Sequence, residues 1–188
     1  NAIVQHDLKK LLAYHSIENI GIIGIGIGLG MLGIAYRQDA IALCGFLGGL
    51  LHVFNHFTFK SLLFYGAGVV YTKTHTRDIE KLGGLIHYLP VTAILFLIAS
   101  LAISGLPLLS GFISEFAIYT GLVRSLAPGS AIFHVAVACG LAGLAFIGIL
   151  AVLCFTKVFS VCFLGLPRVP HEKQLSETTT PMLTPMAV

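Results

Sequence analysis

Four long apolar runs, parted by short polar breaks, organise this chain. The first covers about 11–36 and is closed by Arg37, Gln38 and Asp39. The second covers about 40–72 and ends at the polar stretch KTHTRDIEKLGG, 73–84. The third covers 86–124 and the fourth 130–166, after which PRVPHEKQLSETTT opens a polar connector over 167–188. About 20 apolar residues carry a helix across the hydrocarbon of a bilayer, so each run predicts a membrane helix. The third run is too long for one straight crossing and short for two with a loop. Its middle reads SGLPLLSG, 104–111, where Pro107 removes a backbone donor and the glycines loosen the chain. Either one helix breaks there, or two tight crossings meet in a hairpin.

Charge favours the broken helix. Lys9, Lys10, Lys73, Arg77, Lys81, Arg168 and Lys173 flank the runs at three places, and only Arg37 and Arg124 stand at the other two. With one crossing per run, the larger group falls on one side of the membrane and the smaller on the other, as the positive-inside rule expects. The expected fold is all-α: a polytopic membrane bundle of about four helices, the third broken at 104–111, with both ends and the connector cytoplasmic. Non-helical backbone at membrane depth needs protein or water around it.

Composition sets the class. The 188 residues are 56% hydrophobic and 10% charged, with a mean hydropathy of +0.93, whereas a soluble domain carries about 25% charged residues. The net charge of +3 has no basic cluster behind it, so a nucleic-acid partner is not expected; the lipid bilayer is. Cys44, Cys139, Cys154 and Cys162 stand singly inside apolar runs and read as small hydrophobes. The chain opens at Asn1 without Met and ends at PMLTPMAV, which reads as a piece of a longer protein whose remaining helices are partners of this segment.

Against this apolar background a few polar groups stand out. In LLHVFNHFTFKSLLF, 50–64, His52, His56 and Lys60 recur at four-residue steps. Each step turns 400°, so the three form one stripe of about 12 Å along a helix, with Asn55 beside it. A charge at the centre of a membrane helix costs roughly 2.5–3.5 kcal/mol on insertion scales. The stripe suits proton transfer through neighbouring groups that bind and release protons, since an amine removed from water gives up its proton more readily. A metal pair, a haem ligand facing His134, or a structural polar stripe are the alternatives; no acid or Cys beside the histidines completes a metal site. Glu115 follows the break in LLSGFISEFAIYTG, as a proton-transfer group or as a structural counter-ion for Lys60.

In LLAYHSIENIG, 11–21, His15 and Glu18 share a face near the cytoplasmic end of the first helix. They suit proton entry or helix contact, or a capping role at the headgroups. Lys157 reads as an accessory group or as a lysine snorkelling to the interface. The series GIIGIGIGLGMLG, 21–33, sits inside an apolar span with no strand before it, so close helix packing is expected rather than a nucleotide loop.

Taken in order, LLAYHSIENIGII, LLHVFNHFTFKSLLFYGAG, THTRDIEKLGGL, SGLPLLSGFISEF and CFTKVFSVCFLGLPR resemble the antiporter-like proton-channel subunits of respiratory complex I. HSIEN and the last motif favour the hydrogenase-4 and formate hydrogenlyase branch. The resemblance implies a multi-pass inner-membrane protein, of which this chain is helices ten to thirteen, most of the second of two inverted repeats. It implies that Lys60 is the central-axis lysine, His52 and His56 its companions, and Glu115 the terminal residue on the broken helix. The first repeat's Glu–Lys pair lies outside this sequence. Relative to the family's usual GLPPLNGF, Leu108 replaces a proline and Ser110 an asparagine. The function implied is proton translocation in a redox-driven complex (membrane-bound hydrogenase, formate hydrogenlyase or an NADH–quinone oxidoreductase); a cation/proton antiporter and a passive anchor are the other readings. No cofactor, metal or catalytic residue is expected on this chain. Iron–sulfur clusters and a nickel–iron or quinone site are expected on partner subunits, which include further membrane subunits and a peripheral redox arm.

Overall fold

The computed structural model describes residues 2–126, 131–168, 176–177 and 183, without the side chain of Ile132. Its order is α1 (Leu8–Ala35), α2 (Asp39–Thr74), α3 (Pro90–Ile103), α4 (Ser110–Arg124) and α5 (Ala131–Phe163), with 3-10 turns at Ala2–Val4, Ile79–Lys81 and Leu85–His87. The architecture is all-α among the described residues. α1, α2 and α5, of 28, 36 and 33 residues, are long and apolar enough to cross a membrane. α3 and α4, of 14 and 15 residues, are each too short to cross alone. The helical run lapses over 104–109, inside the predicted break. Lys173 and most of the connector lie outside the described residues.

The start of α3 differs from the sequence expectation. Residues 85–87 form a 3-10 turn and α3 starts only at Pro90. Proline disfavours the α region for the residue before it and suits the first helical position, so it sets the start. At the break, Leu108 stands at φ +76 and is 97% exposed. Proline, fixed near φ −65°, cannot take that conformation, so this break has a shape that the usual proline could not supply.

The chain divides into two compact units. One comprises Ile17–Phe57 and Ser104–Leu150. Its core is Ile22, Leu29, Ile41, Ile118, Leu122, Phe133, Val137 and Leu144, and its tightest contact is the α1–α2 pair. A Cβ on Gly26 would lie 2.8 Å from Gly49 Cα, one on Gly33 2.2 Å from Ala42 N, and one on Gly45 2.3 Å from Gly30 N. Gly26, Gly30 and Gly33 follow the i, i+4, i+7 spacing of one helix face, whereas Gly21, Gly24 and Gly28 meet nothing within 4 Å. Gly26, Gly30 and Gly33 thus form the helix-packing face expected of the series, and its other three glycines do not take part. Gly45→Ala should force the helices apart and cost about 1–3 kcal/mol. Gly24→Ala should be neutral or stabilising by up to about 1 kcal/mol. Thermal unfolding of the detergent-solubilised protein checks the pair, and equal melting temperatures would contradict this packing.

The other unit comprises Asn1–Ser16, Thr58–Ile103 and Ala151–Val188. Leu8, Leu11, Leu12, Leu63, Phe96, Phe155 and Phe163 are fully buried, with Ile79, Leu82 and Leu85 from the 75–89 segment. That segment is pinned by backbone bonds from Leu8 N to Arg77 O, Ile79 N to His6 O and Gly84 N to Leu164 O, at 2.8–2.9 Å. Arg168 reaches Glu80 at 3.5 Å and Arg77 lies 3.8 Å from Asp7. Residues 6–8, 77–84 and 164–168 therefore meet in this unit, and Arg77 and Arg168 come with them. Glu177 accepts from Val91 N at 2.8 Å and from the Thr92 hydroxyl at 2.7 Å, capping the start of α3.

Candidate functional site

The first unit holds a polar chain built on α2. His52, fully buried, pairs through Nε2 with Asn19 Oδ1 on α1 at 3.0 Å and through Nδ1 with Ser114 Oγ on α4 at 2.9 Å. Asn55, three residues on and so on the same face, donates to Ser114 Oγ at 3.0 Å and to the Ser110 carbonyl at 2.6 Å. Ser114 Oγ also lies 2.9 Å from Gly111 O. Asn19 and Ser114 are buried as well. Three helices thus present one continuous line of donors and acceptors, and buried polar groups need such partners. Close approach of α2 to α4 makes it possible, since a Cβ on Gly48 would fall 2.7 Å from Ile118 Cγ1.

Glu115 follows Ser114 on α4 and is half-buried. Its carboxylate folds back on the break, where a Cβ on Gly105 would lie 2.7 Å from Oε2. Gly105 has φ +64, which glycine takes without strain. Glu18, half-buried on α1, interacts with Glu115 as a like charge. His56, half-buried, lies one turn after His52 on α2. His134 on α5 packs edge-on against Phe133, with ring centroids 6.1 Å apart. An apolar cavity of about 190 Å³ in this unit is lined by Ile25, Leu29, Leu122 and Val137 among others, and contributes no group to the line.

The second unit holds Lys60. It is 5% exposed, its ammonium donates to the Leu12 carbonyl of α1, and it lies 5.6 Å from the Phe64 ring. His15, 1% exposed, sits one turn from Leu12 with its ring 4.7 Å from that of Phe155. Lys157 bonds the Ile3 carbonyl at 2.9 Å, so it reaches the N-terminal segment ahead of α1.

The two units thus divide the residues singled out in the sequence. His52, His56, Glu18, Glu115 and His134 belong to one, and Lys60, His15 and Lys157 to the other. Asn19, Ser114 and the Leu12 carbonyl went unremarked in the sequence. Asn19 lies within HSIEN and Ser114 precedes Glu115, so adjacency to a marked residue was the available signal.

Residues 1–145 match the family model described as NADH:quinone oxidoreductase/Mrp antiporter, TM. The chain is 43% identical over 187 residues to formate hydrogenlyase subunit 3 of Escherichia coli (strain K12), covering all of this chain and 30% of that protein. It is 38% identical over 185 residues to hydrogenase-4 component B of the same strain, covering 98% of this chain and 28% of that one. Under a third of either relative is therefore spanned. A chain of the Mrp complex from Dietzia sp. DQ12-45-1b shares the fold, with a TM-score of 0.71 at 21% identity over 93% of this chain and 30% of that chain. The protein is a multi-pass membrane protein, and its chain belongs to the NADH:quinone oxidoreductase/Mrp antiporter transmembrane family.

Proposed function

We propose that the full-length protein is a proton-translocating membrane subunit of a redox-driven complex of the membrane-bound hydrogenase, formate hydrogenlyase or complex I-like type. One observation carries the reading: α2, apolar enough to span a bilayer, buries His52, Asn55 and Lys60. Each is a cost in a membrane that a passive anchor has no use for. His52, His56 and Lys60 pass protons along α2, and Glu115 at the break is the far terminus of the line. His15 and Glu18 serve proton entry or helix contact, with Lys157 and His134 accessory. The complex sits in the inner membrane. Other membrane subunits and a peripheral redox arm are its partners, and that arm holds the iron–sulfur clusters and the nickel–iron or quinone site.

A cation/proton antiporter is the second reading, favoured by the fold shared with a chain of the Mrp complex. The intact complex, reconstituted in proteoliposomes with a choline buffer free of sodium and potassium, separates the two. Redox turnover is expected to drive proton movement there. Movement only under an imposed alkali-cation gradient would favour the antiporter, and none under either condition would leave the anchor.

A further inference from the structure

The hydroxyl of Ser114 has one proton and two places to put it. His52 Nδ1 lies 2.9 Å away on α2, and Gly111 O lies 2.9 Å away on α4's own first turn. With Asn19 presenting Oδ1 to Nε2, that ring nitrogen carries a proton. Neutral His52 then leaves Nδ1 as an acceptor, and the Ser114 O–H must point to it. When His52 takes a second proton, Nδ1–H becomes a donor and Ser114 Oγ must accept. Its O–H then swings to Gly111 O. Asn55 donates to Oγ in both states, and no buried group of the line loses its partner in either.

We propose that Ser114 is a two-position hydroxyl switch that carries the protonation state of His52 to the first turn of α4, beside the helix break. The carbonyl it engages in the charged state is the one that accepts the backbone N–H of Glu115 in regular helical pairing. Glu115 therefore meets a carbonyl whose hydrogen bonding depends on His52. The titratable groups on these helices nearest in sequence to the line are His56 on α2, Glu18 beside Asn19 on α1, and Glu115 beside Ser114 on α4. The inference rests on His52 being a group that gains and loses a proton, and adds a positioning residue to it.

The test uses the full-length chain in its assembled complex, reconstituted in proteoliposomes, with proton translocation followed across a pH series. Ser114→Ala removes the bonds to His52 and Gly111, and with them the one from Asn55, which keeps the Ser110 carbonyl. The charge-assisted bond of the protonated state is the stronger of the two, so the alanine variant should displace the pH profile and slow translocation about tenfold near neutrality. Ser114→Thr retains the hydroxyl and should restore the wild-type profile. Should Ser114→Ala fail to assemble, Ser114→Cys takes its place, because a thiol fills the site with only weak hydrogen bonds. A profile superimposable on wild type in the alanine or cysteine variant overturns the switch, as does failure of an assembled threonine variant to restore it. His52→Gln runs in parallel: if it translocates normally, the role of His52 itself falls, and with it the basis of the switch. If His52→Gln is inactive while Ser114→Ala matches wild type, only the switch falls.

Discussion

Lys60→Met in the full-length chain is expected to abolish proton translocation by the assembled complex while the subunit remains inserted. The geometry explains why the fold should survive. The ammonium donates to the Leu12 carbonyl, yet that carbonyl also lies within reach of the Ser16 hydroxyl at 3.4 Å and accepts the Ser16 amide in regular α-helical pairing. Removing Lys60 therefore leaves the Leu12 carbonyl paired. Methionine is close in volume and flexible, so it packs in the same space at little cost, and it drops the desolvation penalty of a buried cation. A group that transfers protons is lost, and positioned transfer groups are worth roughly 10²–10⁴-fold in rate. Proton uptake in proteoliposomes and the yield of assembled complex together check this. A variant that pumps normally, or one that fails to assemble, contradicts it in one half or the other.

The second large effect is expected at Glu115. Glu115→Gln keeps the size and the hydrogen-bonding capacity of the side chain but cannot exchange a proton, so translocation should fall by roughly 10²-fold or more. Stability should hold, because the amide fills the same space and retains hydrogen-bonding capacity. Gly105→Ala attacks the same carboxylate by position. Its new methyl would stand 2.7 Å from Oε2 at a φ of +64, a conformation that costs an L-residue roughly 1–2 kcal/mol. The alanine variant should lose translocation with Glu115 chemically intact. Melting temperature and proton uptake, measured on both variants, separate chemistry from placement; full activity in Gly105→Ala would mean that the carboxylate's seat against the break is incidental.

The helices were legible because a bilayer leaves few choices: four apolar runs and a Pro–Gly interruption give the architecture before any packing is considered. The glycine face was legible for a related reason, since Gly26, Gly30 and Gly33 share one side of α1. Polar residues stood out by their cost in such a setting, which is why His52, Lys60 and Glu115 could be marked from sequence. Their partners could not. His52 is joined to Asn19 across 33 residues and to Ser114 across 62, and such pairings depend on helix rotation and close approach. The acceptor for Lys60 is a main-chain carbonyl at Leu12, a group every residue carries. Leu108 at φ +76 was hidden too, because leucine is not a residue that advertises a left-handed turn.

The central claim is that Lys60 moves protons by releasing and regaining its own. The measurement that tests it most directly is the ratio of protons translocated to electrons passed, in proteoliposomes holding the complex with Lys60→Arg. A guanidinium keeps the positive charge and can donate to the Leu12 carbonyl, but it does not deprotonate. The complex is expected to assemble and its ratio to fall to zero. A wild-type ratio in the arginine variant would contradict it, and would leave Lys60 as a structural cation.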